Sequence, residues 1–224
     1  MENYGTFEIQ EIPLSSPYFR RKVESFLGAN GLRTEEMDTY YTVQRPDGEI
    51  LAGGGLCRDV IKCVAVSEAA RSEGLAGPLV SRLIAVGAER GYDNLKVFTK
   101  PENRPVFESL GFHVLARSPQ ALLMENGRGL ETYVRRLEDR SLDGKNGIIV
   151  MNADPMTLGH RYLIEQACGQ VDWLYVVVLG GTGSRFTADA RFGMVEKACP
   201  ITWSVSVLDG GDYCISPATF PSYF

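Results

Sequence analysis

Residues 147–168 read GIIVMNADPMTLGHRYLIEQAC, and the reading of this stretch decides the fold of the chain's second half. Residues 147–151 form a short apolar run rich in β-branched side chains, which predicts a strand buried on both faces of a parallel sheet. A loop over 152–157 carries Asp154-Pro155. A helix follows over 158–168, and Gly169 stops it. Residues 173–179 (WLYVVVL) repeat the buried-strand pattern. A glycine-rich loop over 180–184 leads to a helix over 188–198 that ends near Pro200, and residues 202–208 read as a third strand. Strand, helix, strand, helix, strand implies a parallel sheet with right-handed crossovers. The second half is therefore expected to be an α/β, Rossmann-like domain.

The turn into the first helix carries the chemistry. Thr157-Leu158-Gly159-His160 places a hydroxyl and an imidazole at a helix start, beside backbone N–H groups that have no partner within the helix. Such a start suits phosphate oxygens. Gly159 removes a side chain that would block close approach of a nucleotide. His160 can donate to phosphate and stabilise charge developing at an α-phosphorus. A Thr/His pair also suits plain helix capping, so the motif alone leaves both readings open. Downstream residues favour the first. Arg185 and Arg191 can supply a cation to neutralise triphosphate charge. Ser216 and Thr219, in Ile215-Ser216-Pro217-Ala218-Thr219-Phe220, can hold further phosphate oxygens at another helix start. The set resembles the nucleotidyltransferase superfamily, of HUP type. Asn152, Thr157, Gly159 and His160 match its first motif, Ser216 and Thr219 its second, and Arg191 a helix arginine. The resemblance implies that Asn152, Asp154, Gly159, Arg185, Arg191, Ser216 and Thr219 contact nucleotide, with His160 and Thr157 catalytic.

Upstream of a polar, turn-rich segment over 140–146, the pattern changes. Residues 6–12 alternate as a strand, and Ser15-Ser16-Pro17 opens a helix that stops at Gly28. Residues 39–44 and 49–56 flank Arg45-Pro46-Asp47-Gly48, a hairpin turn, and 60–66 adds a third strand to an antiparallel meander. Over 74–90, Leu75, Leu79, Leu83 and Val86 recur at helical spacing. A strand over 95–99, a short helix over 102–110, strands over 112–116 and 121–124, and a helix over 130–137 complete the block. Before the long helix stands Arg71-Ser72-Glu73-Gly74-Leu75-Ala76, where a glycine lets successive N–H groups face a pyrophosphate. This block, over residues 1–125, resembles the GNAT N-acetyltransferase superfamily. The resemblance implies an α+β domain and makes Arg71, Gly74, Ala76 and Asn103 candidate coenzyme A contacts. Phe107 stands where many members carry a tyrosine acid.

Together the halves imply a GNAT-like domain over 1–140 and a nucleotidyltransferase domain over 141–224. Their pairing resembles the citrate lyase ligase family over nearly the whole chain. The resemblance implies that acetate is activated by ATP with Mg²⁺, giving acetyl-adenylate and pyrophosphate. The acetyl group then passes to the prosthetic-group thiol of the acyl carrier subunit of citrate lyase. Acetyl-coenzyme A is the further ligand implied for the first domain. Asp154 stands where the family pattern leads one to expect Asn. Family members continue well beyond position 224, so the second domain is expected to be incomplete at the C-terminus. Two other readings fit the same motifs: a nucleotidyltransferase acting on a phosphorylated small molecule, and a non-catalytic module that binds coenzyme A or the carrier.

Composition excludes other classes. A formal charge of -5 gives no Lys/Arg surplus for a nucleic acid or an anionic membrane. No apolar run reaches the ~18 residues of a membrane span. Five cysteines without CxxC spacing suit free thiols in a reducing cytoplasm, and with only two histidines no metal site is expected.

Overall fold

The computed structural model describes residues 8–180 and 184–214. The chain forms two compact units that part between Gly129 and Leu130.

In the first unit the meander forms as its alternation predicts. Strands β1 (Ile9–Ile12), β2 (Thr39–Gln44), β3 (Ile50–Cys57) and β4 (Val60–Val66) pair in order, each antiparallel to the last. Gly48, at φ +87°, makes the tight turn between β2 and β3, and the Asp47 carboxylate accepts from Glu49 N–H at 2.9 Å. Beyond β4 the sheet continues as β5 (Lys96–Thr99), β7 (Leu122–Glu125) and, at the edge, β6 (His113–Arg117). Helix α1 (Pro17–Ala29) buries Val23, Phe26 and Leu27 with Tyr40, Ile50 and Ala65. Helix α2 (Ala76–Glu89) buries Leu79, Val80, Leu83 and Val86 in the larger core cluster, with Leu51, Ile61 and Val97. Each such fully buried side chain contributes about 1.5–3 kcal/mol. The short helix expected over 102–110 is a 3-10 turn, Pro101–Asn103, followed by α3 (Arg104–Ser109). The segment before α2 is likewise a 3-10 helix, Glu68–Glu73, rather than an open loop.

β4 and β5 are the one parallel pair of this sheet among the described residues, and only Val60↔Lys96 and Ile61↔Val97 are in register. Past them the two strands part. A register shift opposite Gly53–Gly55 puts Cys63 at φ +52°. This β-bulge turns Lys62 and Cys63 away from the regular pleat, an arrangement that bends and twists a strand.

The second unit begins with α4 (Gly129–Glu138). The helix expected there forms, and it goes with the second half because Tyr133 donates to the carbonyl of Asp209 at 3.2 Å. Strands β8 (Asn146–Met151), β9 (Trp173–Val178) and β10 (Val205–Asp209) form a parallel sheet in the order β10-β9-β8. Helices α5 (Leu158–Cys168) and α6 (Ala188–Ala198) connect them, as the alternating pattern predicts. Ile164 and Val195 pack on Met151, Leu174, Val176 and Val178.

One expectation fails here. β8 is not buried on both faces: Ile148 is 67% and Val150 51% exposed. Both connecting helices lie on the Met151 face. On the opposite face α4 and the turn after it reach β9 and β10, where Tyr175 donates to the carbonyl of Arg140 at 3.0 Å. Among the described residues nothing buries the outer side chains of β8.

Candidate active site

At the C-terminal end of β8 the chain enters the loop through Ala153, buried and at φ +50°. Thr157 is the N-cap of α5 and keeps extended backbone, φ -126° and ψ 167°. Its Oγ1 accepts from the N–H of His160 at 3.4 Å, and its own N–H donates to His160 Nδ1 at 3.1 Å. The pair is a capping box with histidine in the place of the usual Glu or Gln. Both residues stay accessible, Thr157 exposed and His160 half-buried. A Cβ on Gly159 would meet only Thr157 Oγ1, at 3.7 Å, so packing within the protein does not require glycine there.

The loop after β9 is fastened to the loop after β8. Asp154 Oδ2 accepts from Arg185 N–H at 2.6 Å and Oδ1 from Phe186 N–H at 2.9 Å. The N–H of Arg185, aided by that of Phe186 and by the charges of Arg191 and Arg185, holds the Asp154 carboxyl below the usual carboxylate range against partial desolvation. A carboxylate offers a separate oxygen to each of the two successive N–H groups, where an Asn side chain has a single acceptor atom, which rationalises Asp154. Asn152 is exposed, and its Oδ1 accepts from Ser184 Oγ at 3.3 Å. Arg185 is exposed, with its guanidinium 5.9 Å from the Phe186 ring centre.

Arg191 departs from expectation. It is fully buried, not turned to the phosphate side. Nη1 donates to Asn152 O at 2.8 Å and to Asn152 Oδ1 at 2.6 Å, and Nε donates to Phe186 O at 3.2 Å. Thr187 caps α6 through Ala190 N–H at 3.2 Å, and the arginine one turn in faces the sheet. It is a strut between two loops, and Arg185 is left as the exposed candidate cation. Ser216 and Thr219 lie outside the described residues. Among the described residues no group of three or more His, Cys, Asp or Glu side chains could hold a metal ion.

In the first unit the parting of β4 and β5 opens a cleft of about 550 Å³. Arg71, Ala76 and Asn103 line it. Gly74, at φ +66°, ends the 3-10 turn before α2 and is not among the residues that line the cleft. Asn103 donates to Thr99 Oγ1 at 2.9 Å. Phe107 also lines the cleft, 3% exposed and edge-on to Phe112. A phenyl ring there has no proton to give. Lys62, also on the cleft, is buried and paired with Glu35 at 2.7 Å. The neighbouring Cys63 thiol is pushed up by burial.

Residues 146–224 match the family model described as the citrate lyase ligase C-terminal domain. A [citrate [pro-3S]-lyase] ligase of Haemophilus influenzae is 38% identical over 206 residues, which covers 90% of this chain and 62% of that protein. The Escherichia coli protein of the same name is 40% identical over 207 residues, 91% of this chain and 58% of its own length. The chain is a relative of the citrate lyase ligases. It spans about three-fifths of the length of these ligases. Among solved structures, Escherichia coli ElaA aligns at 18% identity and TM-score 0.44, over 54% of this chain and 99% of its own. A GCN5-related N-acetyltransferase of Rhodopseudomonas palustris aligns at 12% identity and TM-score 0.45, over 55% of this chain and 96% of its own.

Within the segment matched to the citrate lyase ligase domain, the structure gathers Asn152, Asp154, Thr157, His160 and Arg185 around two adjoining loops. Sequence reasoning missed several participants. Glu35 and Lys62 lie in unremarkable stretches, and only their meeting across 27 positions makes them a pair. Cys63 carries no local signal either, because its bulge depends on the glycines of the neighbouring strand.

Proposed function

We propose that this chain carries the ATP-using site of a citrate lyase ligase. Acetate oxygen attacks the α-phosphorus of ATP, the bond to the β-phosphate bridge oxygen breaks, and pyrophosphate leaves. A carrier thiol then attacks the acetyl carbon of acetyl-adenylate, which releases AMP. His160 donates to α-phosphate oxygens and stabilises the charge that builds there. Thr157 holds the imidazole, and Gly159 leaves room for the phosphates. Arg185 neutralises triphosphate charge. Asn152 and Asp154 bind by shaping the loop, and Arg191 braces them from below. Ser216 and Thr219, which lie outside the described residues, supply further phosphate donors in this reading. Mg²⁺ entering with ATP would neutralise part of the triphosphate charge, a role that needs no dedicated protein cage.

The partner in this reading is the acyl carrier subunit of citrate lyase, in the cytoplasm, and the first unit's cleft takes its coenzyme A-like arm or acetyl-coenzyme A. Support comes from Arg71 and Asn103 on the lining of the cleft, and from Phe107, which leaves the cleft suited to holding a thiol rather than to protonating it. Five free cysteines suit a reducing compartment. No described helix is long and apolar enough to cross a membrane.

The observation that carries the proposal is the open capping box at the C-terminal end of a parallel strand, where α/β sheets bind ligands. Losing one charge-stabilising donor costs ~10²–10³ in rate. His160→Ala should therefore lower acetate-dependent pyrophosphate release by that factor, measured with labelled ATP. Unchanged release would remove His160 from the chemistry. Release that needs a phosphorylated acceptor and ignores acetate would favour a nucleotidyltransferase. Calorimetric binding of acetyl-coenzyme A without ATP would leave only a binding module.

A further inference from the structure

The capping box fixes more than the position of an imidazole. A backbone N–H can only donate, so the 3.1 Å contact from Thr157 N–H requires a lone pair on His160 Nδ1. Thr157 Oγ1, which already accepts from His160 N–H, lies 2.8 Å from the same nitrogen and can turn its own proton toward it. A proton on Nδ1 would set two donors against each other at Thr157. The ring proton therefore belongs on Nε2, the nitrogen that points away from the cap.

We infer that the Thr157 backbone fixes His160 as the neutral Nε2–H tautomer, so that the site presents a hydrogen-bond donor, and not an acceptor or base, to the substrate's phosphate. The inference rests on the ATP reading for the identity of the acceptor, but the tautomer itself does not. It also answers why histidine stands at the third helical position. Glu or Gln caps a helix there equally well. Glu would offer only acceptors outward and would repel a phosphate. Histidine closes the cap with one nitrogen and keeps a donor on the other. Thr157 acts here as a positioning residue, through a main-chain group that side-chain substitution does not remove.

The chain has only two histidines, His113 and His160, so ring ¹⁵N spectra of the histidine-labelled protein contain two spin systems, and His113→Gln assigns them. The expected result at neutral pH is a His160 ring with its proton on Nε2 and an unprotonated Nδ1. Thr157→Val should keep that pattern, because its N–H remains. A proton on Nδ1 in the wild-type chain overturns the inference. Activity supplies the second arm. His160→Glu keeps the cap but should lose ~10²–10³ in pyrophosphate release, as His160→Ala does. His160→Gln should recover at least ~10-fold over Ala by presenting an amide N–H, with the gain in kcat rather than KM. Wild-type rates in His160→Glu would show that the cap alone matters and overturn the donor role. An Nε2–H tautomer in a chain that does not bind ATP supports the tautomer and sinks the ATP reading, so the two failures are distinct.

Discussion

In the first unit the cleft lies within the sheet, where two parallel strands part after a short stretch of shared register. In the second unit the sheet stays closed, and the candidate site lies beyond the ends of its strands, on loops. The first arrangement depends on close packing of strand residues. β2 and β3 are buried over almost their whole length, and three successive glycines let tyrosine and leucine side chains approach the backbone. The second depends on a few polar ties, because β8 leaves Ile148 and Val150 in the open. A strand-based cleft is thus held by apolar volume, and a loop-based site by hydrogen bonds to main chain. The difference predicts which substitutions injure which unit.

The largest effect should come from Arg191. Arg191→Ala removes the guanidinium donor from Asn152 O, Asn152 Oδ1 and Phe186 O, leaves Asn152 Oδ1 only its bond from Ser184 Oγ, and opens a void, at a cost of about 3–5 kcal/mol. Both tryptophans, Trp173 and Trp203, lie in the second unit, so urea unfolding followed by tryptophan fluorescence reads that unit. Arg191→Lys should fall between, since an ammonium keeps the charge but not the planar fork. A midpoint unmoved in Arg191→Ala would break the contrast between the two units.

The opposite test is in the first unit. A Cβ on Gly53 would stand 2.7 Å from Tyr40 Cε1. Tyr40 is fully buried, with its hydroxyl bonded to Cys63 O at 3.2 Å, so the ring cannot swing aside without opening the bulge. Gly53→Ala should cost about 1–3 kcal/mol. Hydrogen exchange should show the loss in β2–β4 peptides and leave β8–β10 peptides unchanged.

Much of this contrast was legible in the sequence. Thr157 and Thr187 cap their helices, and Gly169 and Pro200 mark their ends, so α5 and α6 run over the expected residues. Capping and stopping are local, and local chemistry can be read from a string. The inward turn of Arg191 was not legible, because its acceptors on Asn152 sit 39 positions away on another loop. The open face of β8 was not legible either. An apolar run states what a strand can bury, and only the placement of helices decides which face is covered. The Lys62–Glu35 pair and the bulge at Cys63 belong to the same class of meetings between distant segments.

A smaller, pH-dependent effect should separate Asp154 from an ordinary surface carboxylate. Its folded pKa is lowered, first by the N–H of Arg185. A lowered carboxyl pKa gives stability that is fully present above the unfolded value, about 3.9, and lost as pH falls through the folded one. Asp154→Asn should therefore be less stable than wild type from neutral pH down to that region, and the gap should narrow below it. Tryptophan-monitored urea midpoints across that range read the gap directly. A gap constant with pH would show that the two N–H bonds do not act on the ionised carboxylate.

The smallest effect tests the openness of β8 itself. Val150 is half exposed on the outer face, whereas Val43 in β2 is 1% exposed. Replacing valine by threonine changes shape little and puts a hydroxyl where a methyl stood. At Val43 that hydroxyl must be desolvated without a prepared partner, a cost of about 1–3 kcal/mol. At Val150 water satisfies it, and the change should stay within about 0.5 kcal/mol, as for surface substitutions generally. Hydrogen exchange of the β2 and β8 peptides reads the two variants in the same experiment. If Val150→Thr cost as much as Val43→Thr, something would have to cover the outer face of β8 in solution. The second unit would then be held by apolar volume too, and the contrast between the two sheets would fail at its weakest member.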